Sequence, residues 1–227
     1  METDKHLLAQ SKSEKSYGFI LLGLVASLIA YPLCVNFFVG RWFLHLWIIF
    51  TLVQMILSLQ VDPARRVRII SLGSTPLLLA FVSLLSSLFN FQALFFFKLL
   101  MPLSALFFFF CAWVVIHSIF NHKQVTLDLL YGSVLAYLLI GISWAIVFCC
   151  IELFAADSFS FSAEMAMPDR SGALFYFSLV TLTTLGYGDV LPITGLSRTV
   201  ACLESIAGVM YPAILIPILL GKFRRSD

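Results

Sequence analysis

Residues 181–189 combine groups that could bind a cation. They read TLTTLGYGD, with three threonine hydroxyls, a glycine on each side of Tyr187 and a carboxylate at Asp189. An extended strand points successive carbonyl groups to opposite sides, whereas glycine adopts positive φ without steric cost. Gly186 and Gly188 can therefore turn neighbouring carbonyls toward one side. The oxygens of such a row could replace the water around an ion.

The apolar run before this motif predicts an element that enters a membrane without crossing it. Residues 171–184 are 14 residues long, whereas a spanning helix needs about 20. A solvated polar loop is predicted before them, at residues 155–170. Irregular backbone at membrane depth is tolerated only where protein buries it or where it lines a water-filled cavity. The pattern therefore predicts a short re-entrant helix followed by a non-helical return.

The composition excludes a soluble domain and a disordered chain. Hydrophobic residues make up 61% of the 227 residues and charged residues 11%, against roughly 45–50% and about 25% in soluble domains. We expect an all-α membrane protein with six transmembrane helices, together with the re-entrant helix and the loop that follows it. The predicted spans are residues 17–39, 42–60, 69–89, 93–120, 127–153 and 196–221.

The positive charges predict the orientation of these spans. With the amino terminus inside, ten of the fourteen Lys and Arg residues fall on the inner side, where basic residues are retained. Both termini are therefore expected in the cytoplasm, and the re-entrant segment is expected to enter from the outer side. We expect a multi-pass protein of the plasma membrane, or of the inner membrane in a bacterium. The net charge of +2 gives no reason to expect a nucleic-acid partner.

The motif at residues 184–188, TLGYG, resembles the selectivity filter of potassium channels, whose loops read TVGYG. The resemblance covers roughly residues 127–221 and is to the tetrameric cation-channel superfamily, in its bacterial six-span form. It implies a potassium-selective channel that passively conducts dehydrated K⁺ along backbone carbonyls. Leu185 is the one departure, and its aliphatic side chain should point away from the conduction path. The implied filter residues are Thr184, Leu185, Gly186, Tyr187 and Gly188, with K⁺ held at the first four and the Thr184 hydroxyl at the inner mouth.

The resemblance also implies an assembly. Each chain supplies one filter strand, and a ring of carbonyls requires four, so identical chains in a closed fourfold arrangement meet the need. We expect a homotetramer in a lipid bilayer, with K⁺ as the permeant ion and no cofactor. The implied domains are a cytoplasmic segment at residues 1–16, a four-helix block at 17–122, a pore domain at 123–222 and a short cytoplasmic tail at 223–227.

Three other functions fit the sequence less well than a channel. An enzyme is not expected, because no nucleophile with a positioned base, metal-ligand cluster or phosphate-binding loop is recognisable. An ion-coupled cation transporter would ordinarily carry a broken helix in each of two repeats, and only one half of this chain has such a segment. A non-conducting or regulatory subunit of a channel complex is the remaining alternative. The fourth run carries Lys98 and no arginine ladder, so steep voltage sensing is not expected.

Several residues near the motif could support a filter. Tyr187, pointing outward between the glycines, can pack into an aromatic wall, for which Tyr176 and Phe177 are candidates. Asp189 places a carboxylate at the outer mouth, or it serves as a helix cap or as an ion-pair partner, for example of Arg198.

Glu204 is an acid inside a predicted span, so a function is the default expectation. It could line the cavity and concentrate cations there. It could instead support the filter from behind, bonded to hydroxyls such as those of Thr181 or Thr183. In a third interpretation it is protonated and merely hydrogen-bonded.

The last predicted span contains three candidates for a gating hinge. Gly208 stands where the resembling family has a flexible glycine, and Pro212 and Pro217 each remove a backbone donor and can kink a helix. A bend would let the apolar inner end at residues 214–220 form a constriction that excludes water. Glycine and proline are also frequent in membrane helices that gate nothing.

Overall fold

The computed structural model describes residues 16–34, 74, 77–78, 81–82, 85, 94–122, 125–161 and 170–224. This part of the chain is mostly helical, with one small sheet. Its elements are α1 (Ser16–Cys34), α2 (Leu94–Asn121), α3 (Leu127–Phe154), β1 (Phe159–Phe161), α4 (Arg170–Leu182), β2 (Val190–Pro192) and α5 (Gly195–Phe223).

Three of the helices are long and apolar enough to cross a membrane, at Phe95–Asn121, Leu127–Phe154 and Gly195–Phe223. The helices predicted at residues 93–120, 127–153 and 196–221 are thereby confirmed, with small differences at their ends. The first predicted run, residues 17–39, is helical as far as Cys34 in α1, and its remaining residues lie outside the described part of the chain. Within α1, Tyr17–Ala30 is apolar but shorter than a spanning helix. The second predicted run lies outside the described residues, as does most of the third.

α1 and α2 pack against α3 of the same chain. Ile20, Phe107 and Leu135, one from each helix, belong to one buried cluster. At the start of α1, Tyr17 N donates to Asp128 Oδ1 at 3.0 Å. The connection from α2 to α3 is only residues 122–126, which keeps the two helices side by side. α1 and α2 therefore pack onto α3, the first helix of the carboxyl-terminal half of the same chain.

The loop between α3 and α4 differs from the prediction in its first part. β1 and β2 form an antiparallel pair in which Phe159 lies opposite Pro192 and Phe161 opposite Val190. The prediction of a solvated polar loop at 155–170 is wrong for this strand, because Phe159 is buried. Its ring packs against that of Phe148 at a centroid distance of 5.6 Å. The all-α prediction therefore needs the addition of this sheet.

The two carboxyl-terminal helices frame the TLGYG motif. α4 contacts both α3 and α5, and the non-helical residues 183–189 follow it directly. α5 begins at a cap in which Thr194 Oγ1 accepts from Ser197 N at 3.3 Å. It then continues without interruption through Pro212 and Pro217. The motif is thus held between the end of one helix and the start of another.

Candidate functional site

The first residue of the TLGYG motif closes the carboxyl end of α4. Leu185 N donates to Val180 O at 2.9 Å, and Thr184 N donates to Thr181 O at 3.0 Å. This pair of hydrogen bonds defines a Schellman cap, whose left-handed residue is usually glycine or asparagine. Here Thr184 takes that place, with φ of 60°. Nothing in the sequence indicated that this threonine would be left-handed.

Positive φ recurs at every second residue of the motif. It is 60° at Thr184, 57° at Gly186 and 81° at Gly188, so the positive φ predicted for the two glycines is confirmed. Apart from the adjacent residues, no heavy atom in the described part of the chain lies within 4 Å of the position that a Cβ would take on either glycine. Backbone conformation, not lack of space within the chain, therefore requires glycine there. Alternation of this kind lets successive carbonyl groups share one side.

Tyr187 packs against Tyr176 of α4, one of the two aromatic residues predicted to contact it. The rings of Tyr176 and Tyr187 stack at a centroid distance of 6.4 Å and an interplanar angle of 3°. The Tyr176 hydroxyl donates to Asp189 Oδ2 at 2.8 Å. Tyr176 therefore braces the motif twice, through its ring and through its hydroxyl.

Two of the alternatives considered for this end of the motif are not formed within the chain. Phe177 is buried, and its ring packs against that of Phe148 at a centroid distance of 5.1 Å, not against Tyr187. Consecutive helical residues point about 100° apart, so Tyr176 and Phe177 cannot both face the motif. Arg198 Nε donates to the Pro192 carbonyl at 3.2 Å and makes no ion pair with Asp189.

Glu204 is fully buried where α5 crosses α4. Its Oε1 lies 2.5 Å from Ser178 Oγ on α4. The same hydroxyl lies 2.7 Å from the Gly141 carbonyl oxygen on α3. Glu204 Oε2 is buried and has no hydrogen-bond partner in the described part of the chain. Sequence reasoning missed Ser178, although a serine within an apolar run was a signal for a buried hydrogen bond.

The hydroxyl predicted to bind Glu204 belongs to another residue. Ser178 takes the place that was expected for Thr181 or Thr183. Thr183 Oγ1 donates instead to Leu179 O, in the last turn of α4, at 2.7 Å, a local bond that threonine commonly makes to the preceding helical turn. Thr181 contributes its carbonyl oxygen, which lies 3.5 Å from Ser205 Oγ.

The last carbonyl of α4 is enclosed by the two neighbouring helices. Tyr137 of α3 donates its hydroxyl to Leu182 O at 3.1 Å. Gly208 of α5 packs so closely that a Cβ placed on it would overlap the same oxygen. The structure therefore gives Gly208 a packing role, and its predicted role as a hinge stays a prediction together with those of Pro212 and Pro217.

Comparison with known families covers the region just described. Residues 136–225 match the family model described as an ion channel. This ion-channel segment contains most of α3, the whole of α4 and α5, and the TLGYG motif. It also contains Ser178, which contacts Glu204, and Tyr137 and Gly208, which contact the end of α4.

Individual relatives share the same kind of name. The chain is similar to the A-type voltage-gated potassium channel KCND3 of Homo sapiens and of Rattus norvegicus, with 33% identity over 94 residues in each case. It is also similar to the potassium voltage-gated channel protein Shal of Drosophila melanogaster, with 31% identity over 95 residues. The alignments cover 41% of this chain but only 14% to 16% of the relatives. No solved structure matches the chain significantly.

Proposed function

We propose that four copies of this chain form a potassium-selective channel that conducts K⁺ passively across a membrane. The observation that carries the proposal is the alternating left-handed backbone of Thr184, Gly186 and Gly188 within a TLGYG motif. The ion-channel segment and the potassium channels similar to it support the same conclusion. Main-chain oxygens rather than a cofactor do the work in this proposal, and no covalent chemistry is involved.

The proposed mechanism replaces water with protein oxygens. A K⁺ ion sheds its hydration shell at the motif, and the carbonyls of Thr184, Leu185, Gly186 and Tyr187 coordinate it in turn. The Thr184 hydroxyl stands at the inner mouth and the Asp189 carboxylate at the outer mouth. The carboxyl end of α4 carries the negative end of its helix dipole and adjoins Thr184, where it favours a cation.

The surface of the single chain supports a fourfold assembly. The motif residues are exposed, with Tyr187 at 67% and Leu185 at 56% of their full exposure. α5 also exposes large apolar side chains over its whole length, among them Leu203, Ile206, Val209, Met210, Ile214, Ile216 and Leu220. Three further copies would supply the missing filter strands and cover part of this surface.

The proposed topology follows the sequence prediction. Each subunit has six spans with both termini in the cytoplasm, α4 is a re-entrant pore helix, and residues 123–222 form the pore domain. We propose a multi-pass location in the plasma membrane, or in the inner membrane if the source is a bacterium. Bending of α5 near Gly208 or Pro212, with Pro217 as a further hinge candidate and closure at residues 214–220, is the proposed gate.

Purified protein in liposomes tests this function. With K⁺ inside and Na⁺ outside, we expect a current whose reversal potential follows the K⁺ gradient. The matched variant is Gly186→Ala, in which a side chain must adopt a φ that disfavours it, and we expect it to lose selective flux. Equal passage of Na⁺ and K⁺ would refute the proposal. Absence of flux would indicate a non-conducting subunit, and slow saturable flux would indicate a transporter.

A further inference from the structure

Two successive turns of three helices meet behind the proposed filter. Each helix contributes two residues that are four positions, or about one turn, apart. They belong to two layers, which we call upper and lower. The upper layer joins Glu204 and Gly141 through Ser178, and the lower layer joins Gly208 and Tyr137 at the Leu182 carbonyl. We call these six residues the three-helix joint: Tyr137, Gly141, Ser178, Leu182, Glu204 and Gly208.

The hydrogen bonds of the upper layer need a proton that Ser178 cannot supply. A hydroxyl has one hydrogen to donate, and a main-chain carbonyl can only accept. The 2.7 Å contact from Ser178 Oγ to Gly141 O therefore uses the serine hydrogen. The 2.5 Å contact from Ser178 Oγ to Glu204 Oε1 then requires a second hydrogen, which must lie on the carboxyl group.

The surroundings of Glu204 also disfavour a carboxylate. The side chain has no exposed surface, and an isolated buried charge carries a large desolvation cost. Within the described residues, the ion pairs are those of Arg170 with Glu152 and Asp157, so no cation compensates Glu204 there. The unpartnered Oε2 is tolerated more easily as the carbonyl oxygen of a neutral acid than as part of an anion.

We infer that Glu204 is a neutral acid that donates a hydrogen bond to Ser178 and thereby positions the end of α4. The inference rests on the proposed function, in which Thr184 is the first residue of the filter. The end of α4 is joined to Thr184 through its cap, so a residue that positions α4 also positions the filter. Glu204 touches no ion in this arrangement. It acts through Ser178 and is a positioning residue of the filter.

Three substitutions of Glu204 separate this role from the alternatives. The amide of Glu204→Gln offers an N–H donor at the same place, so we expect the K⁺ to Na⁺ permeability ratio to stay within about twofold, because the hydrogen bond is kept. Glu204→Met keeps an unbranched apolar chain but has no donor. We expect it to lower the ratio by about tenfold, the scale of one lost buried hydrogen bond. Glu204→Asp is too short to reach Ser178 and should resemble Glu204→Met.

Ser178→Ala removes the other partner of the hydrogen bond between Ser178 and Glu204. It removes the acceptor for Glu204 and also the donor to the Gly141 carbonyl, so we expect it to lower the permeability ratio at least as much as Glu204→Met does. The double variant should be no worse than Ser178→Ala alone, since Ser178→Ala already removes the contact that Glu204→Met removes. If Glu204→Met fails to assemble, Ser178→Ala carries this measurement alone, with tetramer mass as the check on assembly.

Infrared difference spectroscopy reads the proton directly, whether or not the protein conducts. The wild-type spectrum minus that of Glu204→Gln should contain the carbonyl stretch of a protonated carboxylic acid at neutral pH. The control is Glu152→Gln, since Glu152 pairs with Arg170 at 2.8 Å and should contribute only carboxylate bands.

The outcomes distinguish this inference from the proposed function. A carboxylate band from Glu204 would overturn the inference even if wild-type protein conducts K⁺. The inference would also be overturned if Glu204→Gln were as poorly selective as Glu204→Met, because selectivity would then depend on a negative charge at this position. Glu204→Met that is as selective as wild type would reduce the residue to packing and also overturn it. A silent or non-selective wild-type protein would instead refute the proposed function.

Discussion

Thr184 shows how one residue joins the helix to the motif. It terminates α4 as the left-handed residue of the Schellman cap and is also the first residue of TLGYG. A left-handed backbone costs a non-glycine residue roughly 1–2 kcal/mol, and a β-branched residue is a clear outlier there. The two cap hydrogen bonds offset this strain. A hydroxyl is thereby kept at a position where glycine would be the easier choice for the backbone.

Gly208→Ala should disrupt the joint rather than stiffen a hinge. The added Cβ would overlap the Leu182 carbonyl oxygen, which is backbone and cannot move without displacing the end of α4. Overpacking of this kind typically costs about 1–3 kcal/mol or more. We expect a lower melting temperature of the assembled protein and loss of selective flux, measured by thermal unfolding and by liposome flux.

Gly221→Ala is the matched control in the same helix. Apart from its own turn of helix, no heavy atom among the described residues lies within 4 Å of the position of its added Cβ, and alanine is favoured over glycine in a helix by roughly 0.5–1 kcal/mol. It should be neutral or slightly stabilising. Equal tolerance of alanine at both glycines would contradict the close packing at Gly208. The hinge itself is then better tested by Pro212→Ala, which adds no atoms against α4.

At the scale of elements, local patterns were predictable and pairings between distant segments were not. The lengths and apolar character of α2, α3 and α5 are properties of continuous runs, so the sequence predicted them closely. The pairing of β1 with β2 joins residues about 30 positions apart, and neither three-residue strand has a pattern strong enough to identify it. Tyr176 and Ser178 illustrate the same limit within α4. Both types of side chain were visible, but the facing partner depends on how the helices cross.

The carboxyl end of α2 is held by a lysine from α5. Lys222 Nζ donates to the carbonyl oxygens of Ile119, Phe120 and His122 at 2.7, 2.8 and 2.7 Å. These carbonyls have no partner within the helix, and a cation at a helix carboxyl end is also favoured by the dipole. The contact links the end of α2 to the end of α5, just after the residues proposed to form the gate.

Lys222→Met should therefore loosen this end of α2. It keeps the apolar stem and removes the three donated hydrogen bonds and the charge. We expect amide hydrogen exchange at the last turn of α2 to increase by about tenfold, since a charged hydrogen bond contributes roughly 1.5–3 kcal/mol before exposure to solvent weakens it. Exchange measured by mass spectrometry on the reconstituted protein would resolve this segment.

Lys98→Met provides the comparison at the other end of α2. Lys98 Nζ lies 5.7 Å from the centroid of the Phe154 ring, so this variant also removes a lysine charge. It should leave exchange at the last turn of α2 unchanged. Equal exchange in wild type and Lys222→Met would mean that the three contacts do not stabilise this helix end.

At the scale of the whole molecule, the charge of α2 bears on whether the voltage gating named for the relatives extends to this chain. The relatives are named as voltage-gated channels, but the shared residues are 41% of this chain. Voltage gating needs charge that moves through the membrane field, about 2.3 kcal/mol per elementary charge per 100 mV. α2 has Lys98 as its one Lys or Arg residue, in the first turns of the helix. A charge so close to the end of a span crosses little of the field.

We therefore expect the open probability of the reconstituted protein to change only shallowly with voltage. Three or four charges per subunit would give a steep dependence, and α2 supplies one. Single-channel recordings at negative and positive voltages in symmetrical K⁺ would measure the dependence directly. Lys98→Met should leave it unaltered, because Lys98 lies beside Phe154 near the end of its helix. A steep rise in opening with depolarisation would place gating charge in the chain outside α2 and refute this expectation, while the proposed selectivity would stand.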